Sequence, residues 1–264
     1  MNNYHEKFSL KGKVVFIAGG CGLIGAEISR AVASVGGQAV ILDVDGQKGK
    51  ALQEEIAKAG HQAVFEQFDI TDLENLSSHL DALNKKHKGM HVWINATYPK
   101  SKDWALSLEK MHLDYLRQNV DLHMNSCLWS SRKAALLMRE QGVKGSIINF
   151  GSIYGVRAND LTIYEGTPMA GEAVYCAIKG GIINLTRYLA SHFGADGIRC
   201  NCLCPGGIFD HQNPTFVQRY EKKVPLKRMG TPQDIASVAV FLASDAASYV
   251  TGTTMMVDGG WTAV

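Results

Sequence analysis

The chain has 264 residues, 46% of them hydrophobic, and a formal net charge of +2, which suits one α/β domain with a large core. The basic residues are scattered rather than arranged in a stripe, so we expect no binding to nucleic acid. No segment approaches about 18 uninterrupted apolar residues, and the opening MNNYHEKFSL lacks the apolar core of a signal peptide, so we expect a cytoplasmic protein that does not bind membranes.

Strand and helix signals alternate along the whole chain without a linker, repeat or low-complexity stretch. Hydrophobic periodicity predicts strands near residues 13–18, 38–43, 62–68, 90–95, 145–151, 198–204 and 253–258. Helices are predicted near residues 23–36, 47–59, 72–87, 108–140, 173–193 and 232–243, with a short one near 214–221. Because crossovers between such strands are right-handed, we predict an α/β fold: one doubly wound, Rossmann-type domain with a parallel sheet of about seven strands and helices on both faces.

A glycine-rich turn follows the first predicted strand. Three glycines recur at intervals of three in GGCGLIG, between an apolar strand and an amphipathic helix. Glycines permit a tight turn and let backbone N–H groups and a helix N-terminus approach a pyrophosphate. A purely structural turn is the alternative, but the order of strand, turn and helix favours a dinucleotide site formed by Gly19, Cys21, Gly22, Leu23, Ile24 and Gly25.

The second predicted strand ends at Asp43, 18 residues beyond Gly25. A carboxylate there can accept both ribose hydroxyls of an adenosine, and it would repel a 2′-phosphate. Neither Cys21 nor Val44 supplies the cation that would attract such a phosphate. The sequence therefore predicts NAD rather than NADP as cofactor, and the alternative role for Asp43 is that of an ordinary residue at a strand end.

Tyr175 and Lys179 stand four residues apart in YCAIK, and Ser152 follows a predicted strand in NFGSIYG. Four residues are about one helical turn, so the phenol and the ammonium project from one face. We expect the ammonium to lower the pKa of the Tyr175 phenol toward neutrality, so that it can act as acid and base. Ser152 can hold the substrate oxygen. A spacing of this kind also arises by chance.

Cys200, Cys202 and Cys204 alternate along one predicted strand and therefore share a face. A metal site is one interpretation, but zinc sites usually pair cysteines through a loop and recruit a second cluster. The nine histidines form no H-E-x-x-H motif. We therefore predict reduced core cysteines, typical of a reducing compartment, and no metal.

Together these motifs resemble those of the short-chain dehydrogenase/reductase family, and the likeness runs from about Lys11 to the C-terminus. The tail from Pro225 to Trp261 is similar to the closing helix and strand of that family. The resemblance implies that Tyr175 is the acid and base, and that Lys179 tunes it and hydrogen-bonds the nicotinamide ribose. It also implies that Ser152 holds the substrate oxygen and that the protein is a homotetramer; a homodimer is the alternative.

The resemblance adds further cofactor-binding residues at the ends of predicted strands. The adenine-side acid of the family is matched in FDITD, the strand end before the nicotinamide in INATYP, and the proline-glycine that closes over the nicotinamide in CPGGIF. Ligands of such sheets bind at the carboxyl ends of the strands, so one shared crevice is expected. The residues carried over are Asp69, Ile70, Asn95, Ala96, Pro205, Gly206 and Ile208, beside Asp43, Val44, Tyr175 and Lys179.

Three features of the chain depart from the family pattern. Ala18 and Leu23 replace the usual threonine and glycine of the nucleotide turn. His123 takes the place of a helix asparagine that is thought to support a water relay behind the lysine, so it is either a proton relay or a packed histidine. Asp210 stands where threonine commonly meets the cofactor, and because a carboxylate does not suit a pyrophosphate, we expect that loop to point elsewhere.

A fourth departure lengthens the path from Ser152 to Tyr175 to 23 residues. The extra segment leaves the strand end beside the nicotinamide and returns to the catalytic helix, so it should border the substrate pocket. Its motif IYEGT, with the nearby NATYP, resembles reductases of bacterial surface-sugar and flagellin-modification gene clusters. A solvated loop is the alternative, and the predicted substrate contacts are Ser152, Tyr175, Arg157, Tyr164, Glu165 and Thr167.

We therefore expect an NAD-dependent oxidoreductase that interconverts a secondary alcohol and a ketone on a polar, sugar-like small molecule. Epimerisation by transient oxidation, reduction of 3-oxoacyl thioesters and a non-catalytic NAD-binding redox sensor or subunit are the alternatives. The whole chain, 1–264, is expected to be one NAD-binding and catalytic domain, with the cofactor half mainly in 10–100 and the catalytic and substrate half in 101–264.

Overall fold

The computed structural model describes residues 3–102, 104 and 106–264. Within these residues a seven-stranded sheet has the order β3-β2-β1-β4-β5-β6-β7, and every pairing is parallel. The strands are β1 Val14–Ala18, β2 Gln38–Asp43, β3 Ala63–Gln67, β4 Val92–Asn95, β5 Ser146–Phe150, β6 Arg199–Pro205 and β7 Thr254–Val257. The predicted doubly wound α/β fold is confirmed, and all seven predicted strands are present.

Nine α-helices connect or flank these strands in the described part of the chain. They are α1 Tyr4–Phe8, α2 Leu23–Ser34, α3 Gly46–Lys58, α4 Leu73–Lys86, α5 Leu113–Asn119, α6 Ser126–Glu140, α7 Ala173–Phe193, α8 Pro214–Lys223 and α9 Pro232–Ala243. Side chains cap the N-termini of two of these helices. Asp45 accepts a hydrogen bond from the Lys48 amide at the start of α3, and Thr231 and Asp234 form a capping box at the start of α9.

The core lies on both faces of the sheet. On one face α2, α3 and α9 pack against alternate strand residues such as Val15, Ile17 and Ile41. On the other face α4, α6 and α7 cover the intervening residues, among them Phe16, Val40 and the three alternating cysteines of β6. A strand that is buried on both faces has a continuous apolar sequence. Because β1 is buried in this way, it could be predicted from the sequence.

The predicted helix over 108–140 is not continuous. It begins at Leu113, and a π-helical segment, Val120–Asn125, separates α5 from α6. The Ser126 hydroxyl donates to the Leu122 carbonyl at 2.5 Å, at the end of this wider turn. Hydrophobic periodicity does not reveal a single wide turn, because the apolar face resumes beyond it. The short α1 was also not predicted, and none of its residues is buried.

The described residues contain neither a membrane-spanning helix nor a cluster of metal-binding side chains. No described helix has both the length and the apolar character that crossing a membrane requires. No group of three or more histidine, cysteine or acidic side chains among them is placed to hold a metal ion.

Candidate active site

The main crevice, of about 680 Å³, opens at the carboxyl ends of the strands. The chain runs from β1 outward through β2 to β3 and then crosses back to β4 on the other side of β1. The crevice lies at this reversal, which is the usual ligand position of such sheets. Most of the predicted cofactor residues share its wall: Gly19, Gly22, Leu23, Ile24, Gly25, Asp43, Val44, Asp69, Ile70, Ala96, Tyr175, Lys179, Pro205, Gly206 and Ile208.

The nucleotide turn leaves no room for side chains at two of its glycines. Gly19 has φ +75°, and a Cβ there would lie 2.9 Å from the Ala96 carbonyl oxygen. A Cβ on Gly25 would lie 2.0 Å from the Gly19 oxygen. Gly22 precedes α2 without a side-chain cap, so the first turn of the helix faces the crevice with its backbone alone. This cradle fits a dinucleotide pyrophosphate.

Asp43 lies at the edge of the crevice beside the exposed Val44. Its carboxylate accepts hydrogen bonds from the Cys21 amide at 2.9 Å and from the Asp45 amide at 3.1 Å. Burial and these two acids raise the pKa of the Cys21 thiol to about 12, so the thiol stays protonated. Asp43 therefore fixes the nucleotide turn and also presents negative charge where a ribose would bind.

Cys21 and Asn95, both predicted to bind the cofactor, are not among the residues that line the crevice. Cys21 contributes its backbone to Asp43. Asn95 is buried, and its side-chain oxygen accepts from the Thr97 hydroxyl at 2.7 Å. Asn95 therefore shapes the loop after β4, whose residues Thr97, Tyr98, Pro99 and Lys100 line the crevice and were not predicted to do so.

Ser152, Tyr175 and Lys179 meet at the inner end of the crevice. The Lys179 ammonium is buried, donates to the Phe150 carbonyl oxygen at 2.7 Å and lies 5.6 Å from the centroid of the Tyr175 ring. The Ser152 hydroxyl lies near enough to the Tyr175 phenol to lower the pKa of that phenol. The three predicted side chains, which we call the triple, therefore lie together. The hydrogen bond to Phe150 holds Lys179 at the end of β5, close to Ser152 in the chain.

The prediction that the pKa of the Tyr175 phenol is lowered toward neutrality is wrong for this structure. Burial dominates and raises this pKa to about 12, while Ser152 lowers it in part. Burial also lowers the pKa of the Lys179 ammonium. The phenolate loses hydration that the nearby ammonium does not fully replace, so Tyr175 carries its proton at neutral pH.

His123 lies within the π-helical segment, close to the triple but behind other rings. It is 4% exposed, stacks on Trp104 with centroids 5.1 Å apart and meets the edge of Tyr98 at 5.3 Å. The Tyr98 ring in turn contacts Tyr175 at 5.7 Å. Burial and the charge of Lys179 lower the pKa of His123 to about 3, so the imidazole is neutral. Packing is therefore established, and the relay role stays a prediction.

A second cavity, of about 250 Å³, adjoins the crevice and shares Tyr98, Ser152, Tyr175 and Gly206 with it. We call it the Glu172 pocket. The long segment before α7 supplies one wall and α8 supplies another. Its remaining lining residues are Ile153, Tyr154, Asn159, Tyr164, Met169, Ala170, Glu172, Gly207, Phe216 and Tyr220.

Of the predicted substrate contacts in the long segment, Tyr164 lines this pocket and Arg157, Glu165 and Thr167 line neither cavity. The Arg157 guanidinium donates to backbone carbonyls of the C-terminal residues Thr262 and Val264. The Thr167 hydroxyl donates to the Tyr164 carbonyl at 2.7 Å. Glu165 is exposed. These three side chains are directed into loop contacts or solvent.

The expectation that the loop of Asp210 points away from the cofactor crevice is wrong. Asp210 and Gln212 line it. The Asp210 amide donates to the Gln212 side-chain oxygen at 2.8 Å, and that side chain donates back to the Ile208 carbonyl at 2.8 Å. This short hydrogen-bonded loop keeps Asp210 at the rim, where its backbone conformation is set by Gln212.

Comparison with known proteins shows the family to which the chain belongs. The family model described as enoyl-(acyl carrier protein) reductase matches residues 22–262. Post-translational flagellin modification protein A of Campylobacter coli is 32% identical, over 96% of this chain and 99% of that protein. The 7alpha-hydroxysteroid dehydrogenase of Bacteroides fragilis is 31% identical, over 96% of this chain and 95% of that protein.

Among solved structures, the short-chain dehydrogenase of Leptospira borgpetersenii with bound NAD+ superposes with a TM-score of 0.83. It is 33% identical and the match covers 99% of this chain and 96% of that one. The likeness therefore spans nearly the whole chain. The chain belongs to the short-chain dehydrogenase/reductase family and is an NAD(P)-dependent oxidoreductase acting on CH–OH groups.

Proposed function

We propose that the protein interconverts a secondary alcohol and a ketone on a polar, sugar-like small molecule with NAD(H) as cofactor. The observation that carries this proposal is the meeting of two cavities at Ser152 and Tyr175. One cavity has the glycine cradle and acid of a dinucleotide site, and the other is lined by tyrosines, an asparagine and a carboxyl. A substrate in the second cavity would place its reacting carbon beside the phenol.

Different residues of the crevice would hold different parts of the cofactor. The cradle of Gly19, Gly22 and Gly25 would hold the pyrophosphate, Asp43 the adenosine ribose, and Lys179 with the loop after Pro205 the nicotinamide end. When bound, the nicotinamide supplies or accepts the hydride. The preference for NAD rests on the charge of Asp43 and on the absence of a cation at Cys21 or Val44.

The side chains beside the reacting carbon handle the proton. Ser152 holds the substrate oxygen by a hydrogen bond, while the Tyr175 phenol gives its proton to a ketone oxygen or takes one from an alcohol. Lys179 favours the negative charge that develops on the phenol and holds the end of β5 in place. Burial of the triple keeps competing water away from the transfer.

The raised pKa of Tyr175 predicts different pH profiles for ketone reduction and alcohol oxidation. Reduction needs the protonated phenol, which is present throughout the range below about 12, so its rate should be flat from pH 6 to 9. Oxidation needs the deprotonated phenol, whose fraction rises about tenfold per pH unit below the pKa. Steady-state rates in both directions test this, and an oxidation rate that stays constant between pH 7 and 9 contradicts it.

Replacement of Asp43 by asparagine should weaken the preference for NAD. The amide oxygen can still accept the bond from the Cys21 amide, but it no longer repels a 2′-phosphate. We expect the ratio of kcat/KM for NADH over NADPH to fall by about tenfold or more, equal to about 1.4 kcal/mol. The exposed Asp114→Asn is the matched control, and wild-type enzyme that prefers NADPH would overturn the assignment.

The substrate class is tested by a turnover screen with NAD(H) across hydroxylated sugars, nucleotide sugars and 3-oxoacyl thioesters, run in both directions. Preferential turnover of sugars supports the proposal. Preferential turnover of thioesters establishes the alternative reductase activity, and cofactor binding without turnover of any class favours a non-catalytic NAD-binding protein.

Three further assignments are part of the proposal. A role in surface-sugar biosynthesis in the cytoplasm is supported by the similarity to the flagellin modification protein. A homotetramer or homodimer is supported by the exposed apolar side chains Leu128, Trp129 and Tyr188 on α6 and α7. We also treat the chain as one domain, with the cofactor half mainly in 10–100 and the catalytic half in 101–264.

A further inference from the structure

The Glu172 pocket contains one polar atom that the described protein does not satisfy. Oε2 of Glu172 is buried and has no hydrogen-bond partner among the described residues. Glu172 occupies the cap position ahead of α7 yet makes no side-chain cap bond to the helix. It lies three residues before Tyr175, so its side chain starts from the face of α7 that carries the phenol.

Several other polar side chains of the pocket are already paired. The hydroxyls of Tyr154 and Tyr164 hydrogen-bond to each other at 2.9 Å. Asn159 accepts from the Cys176 thiol at 2.7 Å, and the Tyr220 hydroxyl accepts from the Gly207 amide at 2.5 Å. These pairs fix the walls, and away from Ser152 and Tyr175 the unpaired carboxyl oxygen of Glu172 can accept a hydrogen bond from an occupant.

The electrostatic surroundings of Glu172 are poor in positive charge. The positive charge of Lys100 lowers the pKa of the Glu172 carboxyl. Burial has the larger effect and raises this pKa to about 7. The titratable groups that sense its charge are Tyr98, Tyr164, Tyr175 and Cys176, none of which is a cation. An anionic group beside Glu172 would lie against a second negative charge in a partly desolvated site, which is unfavourable.

We propose that Glu172 is a specificity-determining residue: it binds a hydroxyl or amino group on the non-reacting part of the substrate and excludes a carboxylate there. This inference rests on the proposed function for the location of the reacting carbon. The pocket volume of about 250 Å³ equals about eight water molecules at their liquid volume of ~30 Å³ each. That space suits a group of monosaccharide size with a hydrogen-bond donor directed at the carboxyl.

The test is a binding measurement with three six-carbon probes that differ at one end: 1-amino-1-deoxyglucitol, glucitol and gluconate. Isothermal titration calorimetry is done at pH 8 on enzyme saturated with NADH, since these alcohols are not oxidised by the reduced cofactor. We expect the amine to bind at least about tenfold more tightly than gluconate, equal to about 1.4 kcal/mol. Glucitol that binds as tightly as the amine identifies a hydroxyl as the sufficient donor.

In the Glu172→Gln variant the ratio between amine and gluconate should fall below about threefold, because the amide carries no charge. The exposed Glu140→Gln at the end of α6 is the matched control and should retain the wild-type ratio. Equal binding of amine and gluconate by the wild type, an unchanged ratio in Glu172→Gln, or no binding of any probe would overturn the inference. The last result would mean that water alone satisfies the carboxyl.

A second readout needs no ligand. Because the folded carboxyl has a pKa of about 7 and an unfolded glutamate one of about 4.3, the folded state binds more protons between these values. The contribution of Glu172 to stability should therefore fall as pH rises from 4.5 to 7 and then level off, while that of His123, whose pKa is lowered, rises with pH. The Tm of the wild type relative to that of Glu172→Gln should therefore fall between pH 5 and 8. Parallel Tm curves would contradict a buried, uncompensated carboxyl.

These outcomes separate the inference from the proposed function. Selective binding without oxidation of any alcohol by NAD+ refutes the oxidoreductase proposal and retains the role of Glu172. Oxidation of sugars by an enzyme whose Glu172→Gln variant keeps the wild-type selectivity refutes the role of Glu172 alone.

Discussion

Tyr175→Phe is expected to lower kcat for ketone reduction by about 10³-fold or more while NADH still binds. The substitution removes one hydroxyl from a buried ring at the junction of both cavities. General acid catalysis contributes about 10²–10⁴-fold to a rate. Tyr98, the other titratable side chain shared by both cavities, is held protonated because burial raises its pKa. The ring keeps its contact with Tyr98, so the fold should be unaffected.

Stopped-flow reduction with a substrate from the screen gives kcat, and fluorescence titration gives the NADH dissociation constant. Tyr249→Phe is the matched control because Tyr249 is fully exposed, and it should retain wild-type values. A kcat for Tyr175→Phe within about threefold of wild type would falsify the assignment of Tyr175 as the acid.

Lys179→Met is expected to lower kcat by about 10²-fold or more and to weaken NADH binding as well. Methionine keeps much of the apolar stem but removes the donor to the Phe150 carbonyl oxygen and the cation beside the Tyr175 ring. A hydrogen bond from a charged group contributes about 1.5–3 kcal/mol. The loss should affect kcat more than KM, because the charge on the phenol develops during the reaction.

The control for Lys179 is the exposed Lys58→Met in the last turn of α3, which should leave kcat unchanged. Tm of both variants shows whether Lys179→Met still folds, and Lys179→Arg retains the charge if it does not. If Lys179→Met kept kcat and bound NADH as tightly as wild type, Lys179 would be structural and the triple would reduce to Ser152 and Tyr175.

The fold and the cofactor half of the site could be predicted from local sequence. The five residues of β1 are all buried, and the glycine turn and Asp43 follow within one β-α-β unit. Such motifs depend on near neighbours in the chain, so their spacing carries the information. The steric need for Gly25, where a side chain would meet the Gly19 backbone, is likewise local.

The substrate half was predicted less well because it depends on distant contacts. Arg157 is rich in donors, yet it binds the C-terminal backbone. In the sequence, Glu172 is a polar residue that precedes a helix. It becomes buried because the long segment before α7 packs near α8. The pKa of Tyr175 was mispredicted for the same reason: spacing reveals the neighbouring Lys179 but not the extent of burial.

The most direct test of the account is whether hydride leaves the carbinol carbon of a polyol for NAD+. A substrate identified by the screen, labelled with deuterium at that carbon, is incubated with the wild type, and the NADH formed is analysed by mass spectrometry. We expect one deuterium in each NADH formed by the wild type and no detectable NADH from Tyr175→Phe. Unlabelled NADH, or equal labelled NADH from both proteins, would contradict it.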